Sequence, residues 1–283
     1  MMRLSEPKYS FETILDECIA GIARNPMLSK NLTSSKPFLI AEGNVYLNAA
    51  GAGKLHTILP VNTGVNTDPV VINTLKKSDL VKVYEQYFVP ETKPARKIYY
   101  ALLNAAQEQC PFCGGIGTPR NLDHFLPKTH FPQFSVLPHN LIPSCRDCNM
   151  DGKGQEFATN EEDQIIHPYA DKDIFFSEQW IFATYPQSNG TFEYSALPPD
   201  NWSDVDKARV RKHFKDFNLA NRYRNKAAQQ LRTVLLQINR MEQAGVDREV
   251  IKNVVLQSGV DAAPFANHWQ KGMYQALINI QPS

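Results

Sequence analysis

At 283 residues the chain is long enough for one large domain or two modest ones and for a sizeable core. With 42% hydrophobic and 21% charged residues, its composition excludes collagen-like, low-complexity and wholly disordered classes. Thirty Lys/Arg against 29 Asp/Glu give a formal net charge of +1, which excludes a chain-wide positive field and requires any field for a polyanion to be local.

The opening MMRLSEPKYSFETILDE breaks any signal-peptide core with acidic residues, and no run of 18 uncharged apolar residues follows. The expectation is a cytoplasmic protein without membrane segments. Phe11, Ile14, Leu15, Cys18, Ile19 and Ile22 recur at helical spacing, which makes Cys18 a core residue. Residues 36 to 67 show no clear period. Within them NAAGAGKL, 48 to 55, lacks the first Gly and the final Ser/Thr of a phosphate loop and reads as a small-residue turn. Asp68-Pro69 and Ser78-Asp79 are helix-start signals, so VVINTLKK and LVKVYEQYF are predicted as short helices. A third helix is predicted after Thr92, with Ile98, Tyr99, Leu102, Leu103 and Ala106 on one face, leading into Cys110.

Residues 151 to 200 carry ten Asp/Glu against two Lys and include a predicted hairpin, WIFATYP and TFEYSAL, joined through Ser188, Asn189 and Gly190. Residues 201 to 240 reverse the sign, with ten Lys/Arg against three Asp. The stretch 207 to 240 is therefore the candidate local field for nucleic acid. A solvated helix face is its ordinary alternative. A long helix is predicted from Leu219 to Ala244, with Leu231, Leu235, Ile238 and Met241 as its apolar stripe, and a last one from Asn267 to Ile280.

Four of the five cysteines form two C-x2-C pairs, Cys110/Cys113 and Cys145/Cys148, 31 residues apart. Each pair can turn two thiolates toward one tetrahedral ion, and four sulfurs make a closed, structural zinc site. A redox dithiol or a disulfide pair suits two equal spacings in a cytosolic-looking chain less well. Between the pairs lie Leu122-Asp123-His124-Phe125-Leu126-Pro127-Lys128 and His139-Asn140-Leu141, and Asn149 follows the last cysteine. Phosphodiester hydrolysis needs a proton acceptor near neutral pH and a cation for the added negative charge. A His suits the first task, and hard oxygen donors such as Asp123 and Asn149 suit magnesium.

The segment 110 to 154 resembles the HNH nucleases, whose motif residues interleave with zinc cysteines in this order. The resemblance implies a ββα-metal unit in which His124 is the general base, Asn140 orients the loop after the first strand, and Asp123 and Asn149 bind catalytic Mg2+ or Mn2+. Ordinary roles are also open, with Asp123 as a turn residue and Asn140 and Asn149 as helix caps. Family members place a Lys earlier than Lys153, where Met150-Asp151-Gly152 adds a position. A helical 146 to 153 would still aim Lys153 at a phosphate. His130 and His139 flank the site, and His167 reads as packing against the zinc module.

The expected architecture is thus mainly α with a small embedded HNH module held by a zinc site of four cysteines. Residues 1–109 form an N-terminal helical region, 110–154 the module, and 155–283 a C-terminal hairpin with helices. The expected function is metal-dependent hydrolysis of phosphodiester bonds in DNA, with RNA the other admissible polymer, in bacterial defence against phage. A partner ATPase or sensor would then control cutting. The alternative is a non-catalytic, zinc-stabilised nucleic-acid-binding module.

Overall fold

The computed structural model describes residues 1–64, 67–186 and 188–280. Helix α1, Phe11–Ala20, starts where the Ser10 side chain accepts from Thr13 N, and it buries Phe11, Ile14, Leu15 and Cys18, the face expected from their spacing. The stretch 36 to 67, aperiodic in sequence, is largely helix: α2 runs Pro26–Gly51, capped by Asn25 on Leu28 N. Its buried line, Leu28, Leu32, Ser35, Leu39, Gly43, Tyr46 and Ala50, is regular in space. Ser35 and Gly43 interrupt its hydrophobicity, and Pro37 sits mid-helix, so no period shows in the letters. Residues 65–66 of that stretch lie outside the described ones.

The helix predicted at VVINTLKK is a hairpin instead, β1 Val70–Ile72 against β2 Leu75–Lys76. Two valines and an isoleucine favour the extended chain, and Asn73 makes the turn at φ +50°. Asp68 starts a different helix from the expected one: its carboxylate accepts from Ser78 N at 2.7 Å and Ser78 Oγ at 2.9 Å. Helix α3, Lys77–Lys82, continues as a π-helical turn, Val83–Phe88. The predicted third helix is α4, Arg96–Asn104, burying Ile98, Tyr99 and Leu102.

Strands β3, Asn121–His124, and β4, Leu141–Ser144, pair antiparallel with Asp123 opposite Ile142 and His124 opposite Leu141. A π-helical segment, Asp147–Lys153, follows β4. Beyond it come a helical turn, α5, Ile174–Ser177, and the expected hairpin, β5 Ile181–Thr184 with β6 Glu193–Ala196, with Gly190 at φ +60° in its turn. Helix α6, Asp204–Asp216, is capped by Ser203, and α7 spans Leu219–Gln243. On α7 the buried line is Tyr223, Ala227 and Val234, whereas Leu235, predicted on the apolar stripe, is exposed. Two short helical turns, α8 Arg248–Ile251 and α9 Ser258–Asp261, lead to α10, Trp269–Ile278, which packs on β5. The chain is about half helical, with three separate two-stranded antiparallel sheets among the described residues. None of the described helices is long and apolar enough to cross a membrane.

Candidate metal centre and candidate active site

Cys110 and Cys113 sit on a loop, Cys145 directly after β4 and Cys148 in the first turn of the π-helical segment, so one end of the β3–β4 pair gathers all four. Their sulfurs lie within 4.8 Å of one another and are buried. The Cys113 and Cys145 sulfurs are 3.9 Å apart. That is far beyond a disulfide bond, but it matches the edge of a tetrahedron of sulfurs around zinc, roughly 3.8 Å for bonds of about 2.3 Å. The cluster could therefore hold a metal ion such as zinc.

Donors surround the sulfurs. Gly117 N lies 3.4 Å from Cys113 Sγ, and Arg222 Nη1 lies 3.1 Å from Cys148 Sγ. A Cβ on Gly117 would come within 2.5 Å of Cys145 Sγ, so only glycine lets this backbone approach the cluster. Neither residue is conspicuous in the sequence, although the run Cys113-Gly-Gly-Ile-Gly117 marks a tightly turned backbone. The first pair is anchored from α6, where His213 Nε2 donates to Phe112 O at 2.8 Å and Phe112 stacks on Phe217 at 4.9 Å.

At the other end of β3, Asp123, His124 and Asn149 line one cavity of about 210 Å³, together with Tyr84, Lys128 and Gln155. The two-residue alternation of a strand would put Asp123 and His124 on opposite faces. Both line the cavity because it runs along β3, all four residues of which contribute to its wall. His124 Nε2 donates to Ser135 O at 2.9 Å. This bond fixes the neutral tautomer and leaves Nδ1 as the acceptor. Burial holds the imidazole down at about 3, so it is uncharged at neutral pH. Asp123 is raised to about 6, first by burial, against the opposing charge of Lys153. Its Oδ2 is buried with no hydrogen-bond donor, as suits a hard cation. Asn149 supplies a second oxygen on the cavity wall.

Asn140 lines no part of this cavity. Its side chain ties the loop after β3: Oδ1 accepts from Leu126 N at 2.7 Å, and Nδ2 donates to Leu126 O at 3.0 Å and Phe134 O at 3.1 Å. Behind it, Tyr46 donates to Asn140 Oδ1 at 3.1 Å, and His167 Nε2 donates to Tyr46 Oη at 3.0 Å. His167 Nδ1 accepts from Tyr169 N at 3.2 Å, which settles that tautomer. As expected, His167 packs against the 110–154 segment, lying on the Phe125 ring at 4.4 Å, and it supports this loop. Tyr46 gives no signal in the sequence, because α2 itself is not apparent there.

Two sequence readings change. Lys153 does not project into the cavity beside His124. Gly152 presses against Phe217, where a Cβ would meet the ring at 2.7 Å, and Lys153 is turned inward, 6% exposed. Arg209 in the basic stretch is not a surface charge but is 1% exposed, in a buried pair with Asp171 at 2.9 Å. Lys212 is paired with Asp216 at 2.6 Å, and Arg222 serves the sulfurs. His139 pairs with Glu6 at 2.6 Å, and His130 packs on Phe157 at 5.1 Å.

No protein-family model and no solved structure matches the chain. It is 38% identical over 290 residues to protein ea31 of Escherichia phage lambda, covering 99% of this chain and 97% of that one. The chain therefore belongs to the same family as protein ea31 of phage lambda.

Proposed function

We propose that the chain is a metal-dependent endonuclease of the HNH type, hydrolysing phosphodiester bonds in DNA. The observation that carries this reading is the meeting of Asp123, His124 and Asn149 on one cavity, with Asp123 Oδ2 buried and lacking a donor. Asp123 and Asn149 would hold the magnesium or manganese ion, which would supply charge neutralisation at the phosphate. His124, kept neutral by burial and oriented by Ser135 O, accepts the proton of the attacking water at Nδ1. A phosphodiester in the cavity adds negative charge beside the ring and raises its proton affinity when it is needed. Lys128, on the cavity wall and 3.2 Å from Glu85, is the cation available to a phosphate. The cysteine cluster, with zinc, braces the strand pair and the segment bearing Asn149. In the proposed setting the protein defends a bacterium against phage, with a partner ATPase or sensor licensing the cut.

The test is incubation of the purified protein with supercoiled plasmid in magnesium, manganese or EDTA, beside His124→Ala. Nicking that needs the divalent ion and His124 is the expected result. Plasmid retardation without any cleavage in either metal would favour the binding-module reading.

A further inference from the structure

A second cavity, of about 160 Å³, lies behind the proposed active site. Its walls include Phe125, Phe157 and Phe217, and three lining residues carry a buried polar atom without a partner: the donors Lys153 Nζ and Gln164 Nε2, and His56 Nδ1. Gln164 is 1% exposed, and its orientation is set, because Oε1 accepts from His56 N at 3.2 Å and the amide nitrogen is thereby turned away from that bond. Arg209 Nε donates to Gln164 O at 2.9 Å and fixes the backbone beneath. Desolvated donors without acceptors are costly, a cost that a ligand with matching acceptors removes.

We infer that this cavity binds a pyrimidine base, its ring between the phenylalanines and two acceptor atoms on Lys153 and Gln164, the two carbonyl oxygens of uracil or thymine, or the carbonyl oxygen and ring nitrogen of cytosine. Size suits a single ring, since a cavity of about 150 Å³ accommodates benzene. Every base has a π-face that stacks on aromatic side chains, which suits these walls. Glu156 and Asp163 line the cavity beside Lys153, and Lys212 there is taken by Asp216 at 2.6 Å, so the lining has no cationic excess for a phosphate and the phosphate of a nucleotide is placed outside it. The proposed active-site cavity is the available place. Phe125 follows His124 directly, and Lys153 precedes the Gly154 that lines the other side.

The base has two possible sources: a free nucleoside, or a base turned out of the strand being cut, the second resting on the nuclease reading. The test measures binding, not cleavage, on the full chain. Cytidine and uridine are titrated by calorimetry beside adenosine, and a single-stranded oligonucleotide carrying a fluorescent cytosine analogue is titrated separately. Wild type is compared with Gln164→Met and with Ala158→Leu, which narrows the cavity from its edge. Saturable binding of the free nucleosides, weakened about tenfold or more by Gln164→Met, as expected for removal of one buried hydrogen bond, supports a free ligand. A fluorescence change with the oligonucleotide alone, absent in both variants, supports a turned-out base. Neither response in wild type, or equal responses in wild type and both variants, overturns the proposal and leaves water as the occupant. Because no arm requires hydrolysis, a protein that never cuts plasmid still gives a decisive answer.

Discussion

The hydroxyl of Tyr46, on the long α2 helix, lies 3.1 Å from Asn140 Oδ1, 94 residues away, and joins the N-terminal region to the loop beside His124. Both residues are fully buried. Removing the hydroxyl in Tyr46→Phe leaves the His167 Nε2 donor unpaired, at a cost of about 1 to 3 kcal/mol. Asn140→Ala frees Leu126 N, Leu126 O and Phe134 O together and is expected to cost more. Urea unfolding checks the order: Asn140→Ala below Tyr46→Phe, both below wild type.

The cysteine cluster predicts one tightly held zinc per chain. Cys145→Ser should lose the ion and several kcal/mol of folding free energy, because metal binding and folding are linked in such sites. Metal analysis of freshly purified protein, with thermal unfolding before and after chelation, checks this. Finding no zinc, or a Cys145→Ser variant as stable as wild type, would contradict it.

In the proposed active site the two kinds of residue should fail differently. His124→Ala removes a proton acceptor that no added metal replaces, a loss on the order of a hundred- to ten-thousandfold. Asn149→Ala weakens metal binding, which raised magnesium or manganese partly offsets by mass action. Nicking rates across a metal titration separate the two. Both variants should keep their zinc, since neither residue is among the four sulfur ligands.

Burial holds His167 and His213 down at about 3, from an ordinary 6.5. For a histidine held low, protonation favours the unfolded chain. The stability these groups contribute is complete above about pH 6.5 and is lost progressively as pH falls toward 3. The urea midpoint should therefore drop through that window. His167→Gln should be less stable at pH 7.5 but lose less on acidification. A variant whose midpoint falls as steeply as wild type would remove His167 from this account.

The cysteine cluster is legible because two equal spacings state it locally, and the hairpin at 181–196 because strand pattern and turn residues agree. Helix α2 is not, since its buried line includes Ser35 and Gly43, which are apolar in packing but not in character. The hairpin at 70–76 passes for a helix because Asp68 looks like the cap of the nearest segment and caps the next one. Asp123, His124 and Asn149 can be named from the sequence, but the loop support from Tyr46 and His167 cannot, since it rests on hydrogen bonds between residues 94 and 121 positions apart.

The basic stretch separates into two classes that the sequence shows as one. Arg209 is a buried structural cation, whose removal strands Asp171 in the interior and is expected to cost about 3 to 5 kcal/mol. Arg211, Lys215 and Arg224 are exposed and free to meet a polyanion, as are Arg232 and Arg240 farther along α7. Reversing Arg209 with its neighbours would therefore test folding instead of binding. The informative variant changes Arg211, Lys215 and Arg224 to Glu and leaves Arg209 alone. If this face carries DNA, affinity falls and the slope of log affinity against log salt shrinks by roughly one unit for each phosphate no longer neutralised. Unchanged thermal unfolding would show that the fold is intact, so the weakened affinity can be assigned to binding. An unchanged slope would make these charges a solvated helix face and move the DNA contacts to Lys128 and the cavity itself.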